Sequence, residues 1–170
     1  MLELGDLIQN SSIHKSKIIF CSDLNIKYGV SIPAKKRLKG KYLLYSSNGI
    51  TDHVNVANSI GTSIIFGCRG TVGTSFYSYK DCFVLNTAMY FTVPKNKLGN
   101  YFFSIREAKG FINVSTGAAQ PQITLDNLKK SILRISINNE QNNILEKIDE
   151  MNEKLRILKK YKEQLLNKYF

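Results

Sequence analysis

The C-terminal segment, residues 138–170, is the part of the sequence that most constrains the fold. It contains no glycine and no proline, and it consists mainly of residues with high helix propensity. Its apolar residues recur at alternating spacings of four and three, which is the heptad pattern of helices that pair with another helix. The seam consists of Ile144, Ile148, Met151, Leu155, Leu158, Lys162, Leu165 and Tyr169, with Lys162 in a polar core position. The sequence therefore predicts a long amphipathic helix.

A helix of this length exceeds what a small domain can cover. About 30 residues at 1.5 Å each give a rod on the order of 45 Å. Asn138 is the expected N-cap, and Gln141 is the reciprocal member of a capping box. The apolar stripe either folds back on the chain's own domain or pairs with another chain. The uninterrupted seam favours pairing, and one face that meets its own copy gives a two-fold dimer.

Residues 1–137 carry a different pattern, in which strand-sized apolar runs alternate with turn residues. The runs KIIF, KYLLYS, TSIIFG and CFVLNTAMYFTV are rich in Ile, Tyr, Phe and Val. The segments between them contain Asn, Gly, Asp and Pro. The best helical signal is NKLGNYFFSIREAKGFI, with Gly110 near its end. We therefore expect an α+β fold, with a mostly β domain at residues 1–137 and the long helix at residues 138–170.

The charge is concentrated on the N-terminal part. The net charge is +11, and residues 1–137 hold 17 Lys and Arg against 7 Asp and Glu. Residues 138–170 are nearly balanced, with 7 against 6. A basic excess on one domain indicates a polyanionic partner, most often nucleic acid. The alternative is a basic surface that serves solubility alone.

Several other classes of protein are disfavoured. No apolar run approaches the roughly 18 residues of a membrane span, and MLELGDLIQN lacks the features of a signal peptide. We therefore expect a cytoplasmic protein in which Cys21, Cys68 and Cys82 are buried reduced thiols. His14 and His53 lie too far apart to suggest a metal site. No P-loop, nucleophile elbow or HExxH motif is present, so no catalytic centre is expected.

The candidate DNA-binding residues come from four short stretches. They are Lys35, Lys36, Arg37, Lys39, Lys41, Ser46, Asn48, His53, Arg69, Thr71, Thr74, Tyr77, Gln120 and Gln122. The basic residues suit phosphates, and the polar ones suit base edges. The alternatives are a solvated charged loop in PAKKRLKGKY, an ordinary hairpin bend in CRGTVGTSFY, and loop bracing by the amides of GAAQPQI.

These stretches together resemble the specificity subunit of type I restriction–modification enzymes. The matching segments are LELGDLI, YLLYSSNGI, IIFGCRGTVGTSFY, STGAAQPQITLDNLKKSILRI and the long helix that begins near EQ. The family usually has prolines before that EQ, whereas this chain reads ISINNEQ. A full specificity subunit contains two target recognition domains and two long helices that pair antiparallel as a spacer. This chain resembles one half of such a subunit, whether natural, truncated or engineered.

The resemblance implies a non-catalytic reader of double-stranded DNA. The helix would pair with a second copy in an antiparallel coiled coil, and the homodimer would read a bipartite target. Partner subunits would methylate adenine or cleave DNA, with S-adenosylmethionine, ATP and Mg²⁺ expected only in those partners and no cofactor in this chain. Two alternatives stay open, namely an RNA-binding protein with a dimerising tail and an assembly protein whose function is the coiled coil.

Overall fold

The computed structural model of the protein describes residues 16–33, 37, 40–137 and 139–169. Over these residues the chain forms three β-sheets, three α-helices and short 3-10 turns. The strands are β1 (Ser16–Phe20), β2 (Lys27–Tyr28), β3 (Tyr42–Ser46), β4 (Gly49–Val54), β5 (Ser63–Gly67), β6 (Ser75–Ser78), β7 (Cys82–Val84), β8 (Ala88–Thr92) and β9 (Ile132–Ser136). The helices are α1 (Leu98–Glu107), α2 (Leu125–Lys129) and α3 (Glu140–Tyr169).

The sheets are built mainly from antiparallel neighbours. One sheet has the order β2-β8-β5-β6, a second has β4-β3-β7, and β1 pairs with β9. The pairing of β3 with β7 is parallel. The central strand β5 is buried on both faces, which explains its continuous apolar run. Ile64 and Phe66 enter the core beneath α1, whereas Ile65 enters a second core with Tyr45 of β3 and Val84 of β7.

The larger core joins all three helices to the sheets. Helix α1 presents Leu98, Phe102 and Ile105 on one face, because these residues follow the helical spacing of four and three. Leu128 of α2 and Leu145 of α3 pack in the same cluster. The short helix α2 begins at an N-cap, where the hydroxyl of Thr124 accepts a hydrogen bond from the amide of Asn127. Through Leu145, the last helix, α3, is thus held on the domain by apolar packing.

Among the described side chains of α3, only those of its first three turns touch the domain. Leu145 is 1% exposed, whereas every side chain from Met151 to Asn167 is exposed. The predicted seam residues Ile144, Ile148, Met151, Leu155, Leu158, Lys162 and Leu165 all lie at the surface. The side chain of Tyr169 lies outside the described part. The stripe therefore does not fold back on the domain over the described residues.

The structure confirms the predicted fold class. A mostly β domain precedes a long C-terminal helix, as expected, and α1 ends shortly before Gly110. The helix begins at Glu140, and its predicted N-cap, Asn138, lies outside the described residues. Cys21, Cys68 and Cys82 are buried, and burial raises the pKa of each thiol to about 11. Among the described helices, none is both long and apolar enough to cross a membrane.

We expect Leu145→Ala to lower the free energy of unfolding by about 2–5 kcal/mol, because it opens a cavity in the shared core. The matched control is Leu155→Ala on the projecting part, where the side chain is 50% exposed. That change should stay within about 0.5 kcal/mol when the protein is dilute enough to be monomeric. Denaturant titration followed by circular dichroism measures both. Equal losses would contradict the docking of α3.

Candidate nucleic-acid interface

The turn between β3 and β4 forms one corner of the candidate interface. The strands pair up to Ser46 and Gly49, which leaves a two-residue loop. Gly49 has a φ of 96°, a conformation that favours glycine. The hydroxyl of Ser46 donates to the Gly49 carbonyl and accepts from the Asn48 amide. Ser46 is therefore buried as a brace of the turn, while Asn48 is exposed.

The glycine-rich turn between β5 and β6 locks onto the first turn. Gly67 allows the backbone of Thr71 to approach closely, since a Cβ at residue 67 would lie 2.2 Å from the carbonyl oxygen of Thr71. The hydroxyl of Thr74 donates to the Ser47 carbonyl at 2.7 Å. The hydroxyl of Thr71 donates to Oδ1 of Asn48. Side-chain hydrogen bonds thus hold the two turns in a fixed relation.

The loop of residues 117–122 is held next to Cys68, where the glycine-rich turn between β5 and β6 begins. Thr116 and Gln122 exchange two backbone hydrogen bonds of 2.9 Å, and Gly117 has a φ of 96°. The amide of Ile123 donates to the Cys68 carbonyl at 2.9 Å, and the Ile123 side chain is buried. The backbone therefore does the bracing in GAAQPQI. The side chains of Gln120 and Gln122 are exposed.

A cleft of about 520 Å³ separates this loop from the glycine-rich turn. Arg69, Gln120 and Gln122 line it, together with Gly70, Ala119 and Pro121. The guanidinium of Arg69 lies 5.8 Å from the centre of the Tyr28 ring, a distance at which the ring attracts a cation. The cleft thus combines one oriented cation with two amides. Arginine and glutamine are the side chains that pair most readily with guanine and adenine edges.

Five of the predicted residues share this end of the molecule as an exposed set. We call them the turn cluster: Asn48, Arg69, Thr71, Gln120 and Gln122. Thr74 is half-buried beside them, with its hydroxyl bonded to Ser47.

Two further cations, Arg106 and Lys109, lie near the turn cluster and were not predicted from the sequence. Arg106 and Lys109 line a second cleft with Gly73 and Thr74, on the other side of the glycine-rich turn. Both cations are exposed. The available signal was the glycine in REAKG, because a glycine after a helix end commonly takes the left-handed conformation that turns the chain, here with a φ of 56° at Gly110. A Cβ at Gly110 would lie 2.6 Å from the carbonyl oxygen of Gly73, so this turn lies against the glycine-rich turn.

A second group of predicted residues lies at the other end of the β3–β4 hairpin. Lys41 directly precedes β3, and His53 pairs with Leu43; both Lys41 and His53 are exposed. About five residues of strand separate His53 from Asn48, which corresponds to about 17 Å. Arg37 is half-buried and its Nε donates to the Ile32 carbonyl at 3.3 Å. Lys35, Lys36 and Lys39 lie outside the described residues.

Tyr77 is placed apart from the turn cluster, against α3. Its hydroxyl donates to the carboxylate of Asp149, and the hydroxyl of Tyr79 donates to the same carboxylate at 2.6 Å. The Tyr77 ring also packs edge-on against Phe102, with 4.7 Å between centroids. Burial raises the pKa of both tyrosines well above the ordinary value of 10, and hydrogen bonding to Asp149 adds to the rise.

The sequence matches a protein-family model over nearly its whole length. The model describes the type I restriction modification DNA specificity domain, and it matches residues 2–167. The chain belongs to this family. The resemblance noted from its motifs is thereby confirmed.

Solved specificity subunits share the fold of this family member. The S subunit of a type I restriction-modification system from M. genitalium superposes with a TM-score of 0.67 and 16% identity, covering 88% of this chain and 42% of that one. The HsdS subunit from Thermoanaerobacter tengcongensis gives 0.56 and 13%, covering 88% and 40%. A chain from a study of complex assembly and conformational transition in the type I R-M system gives 0.58 and 13%, covering 89% and 41%.

These matches cover only part of the solved subunits. The chain spans about two fifths of the length of the solved subunits it matches. No curated protein sequence matches it.

Specificity subunits of this family are in general non-catalytic. Within the described residues, no group of three or more His, Cys, Asp or Glu side chains is placed to hold a metal ion.

We expect Asp149→Asn to shift the titration of Tyr77 and Tyr79 to lower pH, because it removes a negative charge that opposes their ionisation. Burial is the larger cause, so the titration should stay above the ordinary value of 10. Because the folded state raises the pKa of Tyr77 and Tyr79, the protonated forms of these two tyrosines stabilise the unmodified protein. This stabilisation is complete below pH 10 and is lost as the pH rises above 10. Ultraviolet absorbance of tyrosinate measures the titration. The control is Glu150→Gln, since Glu150 is the exposed neighbour of Asp149. An identical tyrosine titration in the unmodified protein and both variants would contradict the contact of Asp149 with Tyr77 and Tyr79.

Proposed function

We propose that this specificity-family chain reads one half of a bipartite DNA target and pairs with a second copy through α3. The observation that carries the proposal is the turn cluster. Three chain segments distant in sequence place a cation, amides and a hydroxyl at one exposed end of a rigid domain. Such a set can donate and accept hydrogen bonds at base edges in the major groove.

Contacts to phosphates would hold the domain on the duplex. Arg106 and Lys109 lie beside the glycine-rich turn of the turn cluster, and Lys41 lies about 17 Å away along the hairpin. That spacing corresponds to about five base-pair steps of one strand. These cations would position the duplex, while the turn cluster itself would supply sequence preference.

The exposed stripe of α3 supports the pairing of two copies. Met151 is 69% exposed and Leu158 is 64% exposed, and the domain does not cover them. Such an apolar row on a soluble helix costs hydration free energy until another apolar surface covers it. A two-fold pair of antiparallel helices would cover both stripes at once. The two reading ends would then face an interrupted, symmetric DNA site.

The remaining partners follow from the family. Modification and restriction subunits of a type I system would dock on the paired chains, in the cytoplasm. S-adenosylmethionine, ATP and Mg²⁺ would be bound by those subunits and used there for adenine methylation and cleavage. The role of this chain would be to place the modification subunits on the target.

Arg69→Ala should weaken binding to a duplex selected from a random DNA library about 10- to 100-fold, because a bidentate arginine–guanine contact is worth about 1–3 kcal/mol. Fluorescence anisotropy over a series of salt concentrations measures both the affinity and its salt dependence. An unchanged salt slope would assign Arg69 to a base, and a slope smaller by about one would assign it to a phosphate.

The matched control is Lys80→Ala. Lys80 is an exposed cation in the turn after β6, at the end of the β5–β6 hairpin opposite Arg69. Its removal should leave the affinity for the selected duplex nearly unchanged. Equal losses from both substitutions would mean that only general charge matters, and the turn cluster would not be the reading surface.

Lys162→Leu should tighten the pairing of two copies about tenfold or more, because it replaces a polar seam residue with a buried leucine. Lys160→Leu is the control, since residue 160 lies on the helix face opposite the seam. Sedimentation equilibrium over a range of concentrations measures the dimer dissociation constant. A chain that stays monomeric at all concentrations, with or without these changes, would contradict pairing through α3.

A further inference from the structure

The contact between α3 and the domain is built from specific polar bonds in addition to apolar packing. Asn142 is buried in the first turn of α3. Its Oδ1 accepts from the backbone amide of Gly99 at 2.8 Å, and its Nδ2 donates to Oδ1 of Asn100. Asn100 is fully buried and its own Nδ2 donates to the Ser136 carbonyl at 2.7 Å. A buried amide chain of this kind allows one geometry, since a shift would leave polar groups unpaired.

Close backbone contact fixes the same point sterically. Gly99 of α1 lies against the start of α3, and a Cβ at that position would be 2.4 Å from the carbonyl oxygen of Gln141. The two helices therefore approach as closely as backbones can. Neither rotation nor sliding of α3 is possible here without breaking the amide bonds or separating the helices.

A second polar contact holds α3 two turns further along. Asp149 accepts hydrogen bonds from the hydroxyls of Tyr77 and Tyr79 on β6 and just after it. It lies seven residues after Asn142, on the same face as Leu145, and about 10 Å further along the axis. Two fixed points on one helix define its direction. Beyond them every described side chain up to Asn167 is exposed, so the direction of the projecting part is set by this junction alone.

The projecting part acts as a lever. It extends about 30 Å from Asp149 to the end of the helix. A sideways shift of about 2 Å at one of two points that lie about 10 Å apart tilts the helix by about 11°. The far end then moves by about 6 Å, which exceeds the 3.4 Å step of one base pair along a strand. A small change at the junction therefore moves the far end of α3 by a distance larger than one base-pair step.

We propose that Asn142 and Asp149 are positioning residues that determine how many base pairs separate the two half-sites accepted by the paired chains. The inference rests on the proposed function, in which two copies read a bipartite target. It assigns half-site sequence to the turn cluster and half-site spacing jointly to the length of α3 and to its angle on the domain. Spacing could then change without any change in the residues that face the bases.

The chain offers two matched pairs of substitutions for the test. Asn142→Ala and Asp149→Ala each remove one fixed point, while Asn143→Ala and Glu150→Ala change exposed neighbours of the same or similar type. Asp149→Ala leaves the buried core in place, so it stays informative if Asn142→Ala fails to fold. The DNA probes are duplexes that carry the selected half-sites in inverted orientation, with the central spacer varied in single base-pair steps.

A second readout reports the junction without DNA. Spin labels on Lys80→Cys and Lys160→Cys join the domain to the projecting helix, and dilution with unlabelled chain restricts the signal to pairs within one protomer. The native thiols are buried with their pKa raised to about 11, so labels react with them slowly at neutral pH. Pulsed electron paramagnetic resonance then measures the distribution of distances between the two labels.

Asn142→Ala and Asp149→Ala are each expected to broaden the distance distribution and to reduce the preference for the best spacer over its neighbours about tenfold, with the half-site sequence unchanged. Their matched controls are expected to leave both readouts as in the unmodified protein. If the distance distribution is unchanged in both folded variants, Asn142 and Asp149 do not fix the angle of α3, and the proposal is overturned. If the distances broaden but the preference among spacers is unchanged, the two residues fix the angle of α3 but do not determine spacing, and the proposal is overturned as well. Absence of binding to any spacer by the unmodified chain would overturn the proposed function, and the spacing role with it.

Discussion

The docking of the first turns of α3 into the domain core is the interaction on which the rest of the structure depends. Leu145 fills a buried site between α1 and the sheet, and Asn142 and Asp149 satisfy polar groups on either side of it. Apolar burial supplies the free energy, and the polar bonds supply the direction. Without this contact the domain and the helix would be two units joined by a linker. With it, the turn cluster and the exposed stripe of α3 belong to one packed unit.

The same arrangement explains why α3 carries two differently composed faces. The face that meets the domain, at residues 142, 145 and 149, mixes buried amide, apolar and carboxylate groups. The seam face is an apolar row, with Lys162 as a polar member, that stays exposed along the projecting part. A polar, geometrically strict contact suits a junction that must hold an angle, whereas an apolar heptad row suits association with an identical helix. The helix thus presents its contacts with the domain and its exposed apolar row on separate faces, as the proposed pairing requires.

The sequence was sufficient for the fold class and for the long helix, because both depend on periodic patterns. Alternating strands, the glycine-rich turn of β5–β6 and the heptad seam are local signals. The turn cluster was only partly predictable, since its members were recognised one by one but their meeting depends on side-chain bonds between distant turns, such as Thr71 to Asn48. Tyr77 shows the limit of local reading, because its polar group pairs with Asp149, 72 residues away. Gly99 gave no sequence signal, because its role depends on the close approach of α3.

The central claim is that two copies of this chain read DNA as a symmetric pair, and selection from a random duplex library tests it most directly. The purified full chain is incubated with the library, bound duplexes are recovered, and the enriched sequences are compared. The account predicts one short motif that recurs in inverted orientation on either side of a spacer of fixed length. Enrichment of a single uninterrupted motif, of direct repeats, or of no motif at all would contradict it.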